Sequence, residues 1–366
     1  MKKLKICVYA ICKNEEKFVN RWFESMKEAD EIYALDTGST DNTVKLLENL
    51  GVNVKQEIIK PWRFDVARNK SMDLLPSDTD ICVCTDLDEV FSPNWRSELE
   101  KVWLKNTNRC RYIYNWSLDK NNKPLISFYY EKIHSRYNFK WIFPVHEILS
   151  FDFTENVVYN EAIVLNHYPD ATKSRSSYLK LLELSVKENP DNDRNTHYLG
   201  REYMYYGNYK KCISTLKKHL KLKNSVWKDE RCASCRFIAR SYAFLKDYNN
   251  AIKYYKASIK EAPHLRDGYI ELALLYYNLA NYKEIIEVIE EALKIEKHPL
   301  TYINEKFSFD ETPFDLLSLA YYEEENYLKS LYYINKCLET SKDERFINNK
   351  IIIIERIKES IKNENL

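Results

Sequence analysis

Short apolar runs alternate with helical periodicity through the first quarter of the chain. Lys5 to Ile11 has the length and composition of a buried strand, and Glu15 to Lys27 then places Phe18, Val19, Trp22, Phe23 and Met26 at helical spacing. Glu31 to Leu35 predicts a second strand, and Thr43 to Leu50 a helix capped by Asp41 or Asn42. Val52 to Ile58 predicts a third strand, Asp65 to Leu75 a helix, and Asp80 to Thr85 a fourth strand. Strands and helices alternating at this spacing imply an open, mostly parallel sheet with helices on its faces. Ligands of such sheets bind at the carboxyl ends of the strands. Asp36-Thr37-Gly38-Ser39-Thr40-Asp41 and Asp86-Leu87-Asp88-Glu89 both follow predicted strands, so both belong to one rim.

The second half has a different pattern. Gly200, Ala239, Ala273 and Ser318 are small residues, each followed three positions later by a tyrosine: Tyr203, Tyr242, Tyr276 and Tyr321. Cys212, Ala251, Ile285 and Ser330 stand twelve positions after the small residues, and Ala239 and Ala273 are 34 residues apart. Pro263 ends the second repeat, and insertions widen the first and last intervals. The pattern predicts an all-α array of paired helices and accounts for much of the excess of 29 tyrosines over only five glycines. Such a stack offers a concave groove suited to a peptide or to a second subunit, hence a possible homo-oligomer. The expected organisation is an α/β domain over 1–170, a helical connection over 171–194 that includes the turn Asn189-Pro190-Asp191, and repeats over 195–366.

Composition narrows the function classes. With 56 basic against 55 acidic side chains, the chain lacks the surplus that nonspecific nucleic-acid or acidic-membrane binding requires. Its apolar runs are too short to span a bilayer. Nine scattered cysteines and no signal peptide point to reduced thiols and a cytoplasmic protein. Cys232-x-x-Cys235 has no second Cys or His pair beside it and reads as helix packing rather than a zinc site.

The chemistry concentrates at Asp86 and Asp88. Two carboxylates at i and i+2 leave a strand on the same side of the backbone. Placed there, they suit a hard divalent cation, which takes oxygen ligands and keeps positions open for phosphates.

Four segments in order carry a resemblance: Ala10 to Glu16, Leu35 to Thr43, Ala67-Arg68-Asn69, and Asp86 to Glu89. Together they resemble the signatures of family 2 glycosyltransferases, whose GT-A fold is a Rossmann-like α/β domain with a mixed, mostly parallel sheet. The small-x-x-Tyr pattern resembles tetratricopeptide repeats. The resemblance implies transfer of a sugar from a nucleotide-sugar, usually with inversion and with Mn or Mg. It places Ala10, Asn14 and Glu15 beside the donor. Asp36 would accept a hydrogen bond from base or ribose, Gly38 would shape the turn beside the nucleotide, and Arg68 would meet nucleotide or diphosphate oxygens. Asp86 would hold the ribose or a metal-bound water, and Asp88 would ligate the cation, which neutralises the departing diphosphate. Glu89 belongs to the pattern without a separate task.

A second cluster spans Tyr130 to Ser150, with His134, Arg136, Lys140, Trp141, Pro144, Val145, His146 and Glu147. Its Trp141 to Glu147 segment resembles the Val/Ile-His-Glu signature of transferases that carry an appended helical repeat domain. Inverting transfer needs a base for the acceptor, and Glu147 is the first candidate with His146 the alternative. His167 follows the apolar run Ala162 to Leu165 and would complete the metal shell; Arg136 would reach the diphosphate. The domain order is similar to that of bacterial peptide S-glycosyltransferases and implies a peptide or protein acceptor. The donor expected is a UDP-sugar, UDP-glucose or UDP-GlcNAc. Lipooligosaccharide or capsule acceptors remain an alternative, as does a non-catalytic adaptor built on the repeats. A nucleotidyltransferase is disfavoured because Ile11-Cys12-Lys13-Asn14 carries no glycine-rich loop.

Overall fold

A computed structural model describes residues 3–170 and 177–364. The chain separates into two compact units, Met1–Glu188 with Leu300–Tyr302, and Asn189–Pro299 with Ile303–Leu366. Of the connection expected over 171–194, residues 171–176 lie outside the described residues.

The predicted alternation forms the parallel half of the first unit. Strands β1 (Ile6–Cys12), β2 (Glu31–Asp36), β3 (Asn53–Gln56) and β4 (Ile81–Thr85) alternate with helices α1 (Glu16–Met26), α2 (Thr43–Asn49) and α3 (Phe64–Met72). β5 (Glu89–Phe91), α4 (Trp95–Val102), β6 (Arg109–Leu118), β7 (Pro124–Ser135), β8 (Phe139–Ile142), β9 (Ile148–Phe151), β10 (Val157–His167) and α5 (Tyr178–Glu188) complete it. The main sheet has the order β3-β2-β1-β4-β7-β6-β10-β5, and β8 pairs with β9 in a separate ribbon. It is mixed: β1 runs parallel to β2 and β4, β2 to β3, and β6 to β10, whereas β7 is antiparallel to β4 and β6, and β5 to β10.

Every residue of β1 is buried, as a strand covered on both faces must be. One face packs Val19, Trp22 and Met26 of α1 against Ile6, Val8, Ile81 and Val83. Burying side chains of this size stabilises the fold by ~1.5–3 kcal/mol each. The indole N–H of Trp22 donates to Thr85 Oγ1 at 2.9 Å, which removes the cost of burying it. Asn42 precedes α2, but the side chain serving its first turn is Asp41, whose Oδ1 accepts from the Thr43 amide at 3.0 Å.

The second unit holds helix pairs α6 (Asp193–Tyr205) with α7 (Tyr209–His219), α8 (Lys228–Phe244) with α9 (Tyr248–Glu261), α10 (Asp267–Asn278) with α11 (Tyr282–Leu293), and α12 (Thr312–Glu323) with α13 (Tyr327–Thr340). α14 (Glu344–Glu364) follows them. The small residue of each repeat lies on the first helix of a pair and the twelfth-later residue on the second, and all eight are buried. A Cβ on Gly200 would come within 2.3 Å of Leu216 Cδ2, so the helices of that pair approach through the missing side chain. In the last pair the same contact is polar: Ser318 Oγ donates to the Ser330 carbonyl and Ser330 Oγ to the Ser318 carbonyl, at 3.0 and 2.8 Å. Cys232 and Cys235 are buried in α8, and all nine cysteines are free thiols.

Candidate active site

The strands β1, β2 and β4 run in one direction, with Cys12 opposite Asp36 and Ala10 opposite Thr85. Asn14, the Asp36 turn and Asp86 to Glu89 therefore leave the sheet along the same edge. Asn14 and the Asp36 loop are tied together: Asn14 N donates to Ser39 Oγ at 2.8 Å, and the Thr40 amide donates to Asn14 Oδ1 at 2.7 Å. Glu15 N donates to Thr43 Oγ1 at 2.7 Å. Asp36 is wholly buried, and its carboxylate accepts the Gly38 and Ser39 amides at 3.1 Å as well as the Ser39 hydroxyl. It holds the turn rather than presenting itself to a base. Gly38 has φ +109°, a region that side chains disfavour, so the turn requires glycine there. Ala10 lies buried within β1.

Arg68 is the centre of the site. Its guanidinium is 5% exposed and joins Asp86 to Glu147, with Nη2 at 2.9 Å from Asp86 Oδ1 and Nε at 2.5 Å from Glu147 Oε1. Its Nη1 donates to Cys84 Sγ at 3.4 Å. All three guanidinium nitrogens are thus engaged by protein atoms, so Arg68 orients two carboxylates instead of facing the rim as a diphosphate ligand. Asn69 explains the rest of its motif. Its amide nitrogen donates to the Trp141 carbonyl at 2.8 Å, and the Trp141 amide donates back to its Oδ1 at 2.9 Å. The Phe64 amide also donates to the Pro144 carbonyl at 3.0 Å, so α3 fixes the segment that carries His146 and Glu147. That segment passes through left-handed backbone at Phe143 (φ 80°) and His146 (φ 50°), strain that persists only where surrounding contacts hold it.

Lys132 is a participant the sequence did not reveal. Its ammonium lies 3.0 Å from Asp86 Oδ2 and 3.5 Å from Glu89 Oε1, almost fully buried. A lysine within the aromatic run Phe128-Tyr129-Tyr130 to Ile133 was the available signal, since a buried ammonium demands carboxylate partners. Burial pushes the Asp86 carboxyl up, but Arg68 and Lys132 outweigh it and hold it well below the usual carboxylate range. Burial raises Glu89. Glu89 acquires the task it lacked: Oε2 accepts the Asp86 amide at 2.9 Å and Oε1 accepts the Tyr114 hydroxyl at 2.9 Å, which fixes the turn between Asp86 and Asp88.

Asp88 Oδ2 and His167 Nε2 come within 3.4 Å of each other. Nδ1 of His167 lies 3.1 Å from the Trp116 carbonyl, which can only accept, so Nδ1 carries a hydrogen; Nε2, facing Asp88, donates to that carboxylate when His167 is protonated and offers a lone pair when it is neutral. Burial opposes a charge on His167, while the hydrogen bond and charge of Asp88 raise its pKa. A carboxylate beside an imidazole oriented through its far nitrogen fits a divalent cation. Among the described residues no group of three or more His, Cys, Asp or Glu side chains that could hold a metal ion is present, and Asp88 with His167 amounts to two candidate donors.

Arg136 is not brought to this rim. β7 is antiparallel to β4 with Ser135 opposite Ile81, which carries Arg136 to the amino end of β4, away from Asp86. There its guanidinium donates to the Leu75 and Pro76 carbonyls at 2.9 and 3.2 Å. His134 is also internal: Trp141 Nε1 donates to Tyr9 Oη at 2.9 Å, and Tyr9 Oη pairs with His134 Nε2 at 2.8 Å.

Residues 7–154 match the family described as Glycosyl transferase family 2, and residues 235–265 and 267–299 match the Tetratricopeptide repeat. The chain is 30% identical over 168 residues to an uncharacterized glycosyltransferase of Rickettsia bellii, covering 44% of this chain and 53% of that protein. It is 34% identical over 110 residues to one of Rickettsia conorii, covering 30% and 37%. The chain therefore spans about half or less of the length of these curated relatives. Among solved structures, that of MamA is similar with a TM-score of 0.37 and 20% identity over 47% of this chain and 95% of that one. The matches thus place a resemblance to glycosyl transferase family 2 on the N-terminal part of the chain and one to tetratricopeptide repeats on part of the C-terminal unit.

Proposed function

We propose that this protein is an inverting, metal-dependent glycosyltransferase that moves a sugar from a UDP-sugar, UDP-glucose or UDP-GlcNAc, to a peptide or protein acceptor. The observation that carries the reading is the placement of Asp88, 3.4 Å from His167, beside Asp86 at the end of β4. Asp88 and His167 would hold Mn or Mg, which supplies charge neutralisation for the leaving diphosphate. Asp86, kept ionised by Arg68 and Lys132, would accept from the donor's ribose or from a water. Glu147 would take the acceptor's proton. Arg68 engages its Oε1, which leaves the second oxygen for an incoming hydroxyl or thiol. His146, on the same strained segment, is the alternative base. The repeat unit would present the acceptor chain, in keeping with the groove such stacks form. Among the described residues no helix is long and apolar enough to cross a membrane. With nine free thiols, the cytoplasm is the compartment we assign.

The test is incubation of the whole chain with a panel of UDP- and GDP-sugars in Mn, Mg or EDTA, following release of the nucleoside diphosphate. Metal-dependent turnover of a UDP-sugar is expected, accelerated by peptide acceptors. Acceleration by a glycan instead would move the acceptor to surface saccharides. No binding of any nucleotide would sink the enzyme reading in favour of an adaptor.

A further inference from the structure

Six of the seven tryptophans invite no explanation beyond packing or ordinary surface exposure; Trp116 does. Trp22, Trp95 and Trp141 are buried, and their indole N–H groups donate to Thr85 Oγ1, the Ser25 carbonyl and Tyr9 Oη. Trp116 is 46% exposed near the end of β6. Its ring stacks on the imidazole of His167 with centroids 4.7 Å apart and planes inclined by 25°. Its carbonyl accepts from His167 Nδ1 at 3.1 Å, so backbone and ring are fixed by the same histidine. The exposed part of the indole is thereby held rigid, one imidazole away from Asp88.

We propose that the exposed indole of Trp116 is the surface on which the pyranose ring of the donor stacks. This rests on the reading of Asp88 and His167 as the diphosphate end of a nucleotide-sugar site. In such a donor the sugar is bonded directly to the second phosphate, so it lies within one ring's breadth of the groups that hold the diphosphate. A pyranose presents an apolar face of C–H bonds, and an aromatic ring offers a flat, electron-rich partner for it. The nucleoside end lies beyond the opposite side of the diphosphate and makes no use of the indole. Trp116 is thus a binding residue for the sugar alone, which separates it from Asp88, whose loss would weaken nucleotide and nucleotide-sugar together.

The experiment titrates UDP, UDP-glucose and UDP-GlcNAc, each with Mn, into the full chain and its Trp116→Ala and Trp116→Phe variants. Stacking energies of this class predict that Trp116→Ala weakens the preferred UDP-sugar by roughly three- to ten-fold. UDP affinity should be unchanged, with Trp116→Phe between wild type and Ala. Equal weakening of UDP and UDP-sugar would show that the indole only supports His167 and would overturn the proposal. Unchanged UDP-sugar affinity in Trp116→Ala would overturn it too. If the wild type binds no nucleotide, the site reading itself fails and takes this inference with it. Binding of UDP with a sugar-blind Trp116 leaves the enzyme reading standing alone.

Discussion

Asp88 and Glu147 act at different stages of the proposed reaction, and their substitutions should separate. In that proposal Asp88 would be the cation's carboxylate, and its backbone carbonyl is anchored by the Tyr168 amide at 2.8 Å. Asp88→Ala should abolish metal-dependent donor turnover while the thermal midpoint stays near that of the wild type; full activity would rule out the metal role. Glu147→Gln keeps an oxygen that accepts from Arg68 but loses the base. It should lower kcat by roughly 10²–10⁴-fold with donor affinity retained. A loss confined to KM would move the base to His146. Lys132→Met tests a buried pair instead, and should destabilise the first unit by about 3–5 kcal/mol, because Asp86 and Glu89 would be left without their ammonium. Sequence alone nominated Asp86, Asp88, Glu147 and His167 because the motifs carry them, and the fold sets Arg68 between Asp86 and Glu147 and Asp88 beside His167. Sequence did not separate Lys132 from Arg136, which lie close together in the chain at opposite ends of their surroundings. Only the direction of β7 decides which of the two meets Asp86, and side-chain pattern carries no direction.

At the level of elements, the parallel half was legible because its central strands β1 and β4 are runs buried on both faces and α1 carries one apolar stripe, while β3 is an exposed edge strand. The antiparallel half was not. β6 and β7 mix tyrosine, arginine and glutamate, as in Arg109-Cys110-Arg111-Tyr112, and their charges pair across strands, Arg111 with Glu131 at 2.9 Å. Such strands lack the apolar continuity that marks a core strand. The repeats were legible for the opposite reason: the small residue and its partner twelve positions on are a packing necessity repeated in every pair. Gly200→Ala should therefore destabilise the second unit by about 1–3 kcal/mol, since the added methyl would meet the buried Leu216 side chain, which must shift to admit it. Chemical denaturation would show it as a lower midpoint, and combining it with Leu216→Val should recover part of the loss. An unchanged midpoint would mean the pair has slack that the contact distance denies.

For the molecule as a whole, each unit buries a histidine that must stay neutral. Burial lowers His134 to about 3 in the first unit and His197 to about 3 in the second, from an ordinary 6.5. The folded state resists a proton that the unfolded chain accepts, so stability is full above pH 6.5 and falls progressively as pH drops toward 3. Carboxylates contribute lower on the scale. Asp30 is held at about 2, burial being outweighed by Arg96 and the Ile6 amide, and Glu261 at about 2 by its hydrogen bond to Arg231. Their stabilisation is lost only below the ordinary carboxylate range, near 4. Thermal midpoints should thus decline between pH 6.5 and 4.5, before these carboxylates titrate; a flat profile there would contradict neutral burial of the two imidazoles. A last consequence concerns Arg68, which joins α3, the end of β4 and the segment before β9 through one guanidinium. Changes at Asp86 and Glu147 cannot be independent, because each alters the charge that the other shares. Their double variant should depart from the sum of the single effects, and among descendants of this gene the three positions should drift together or not at all.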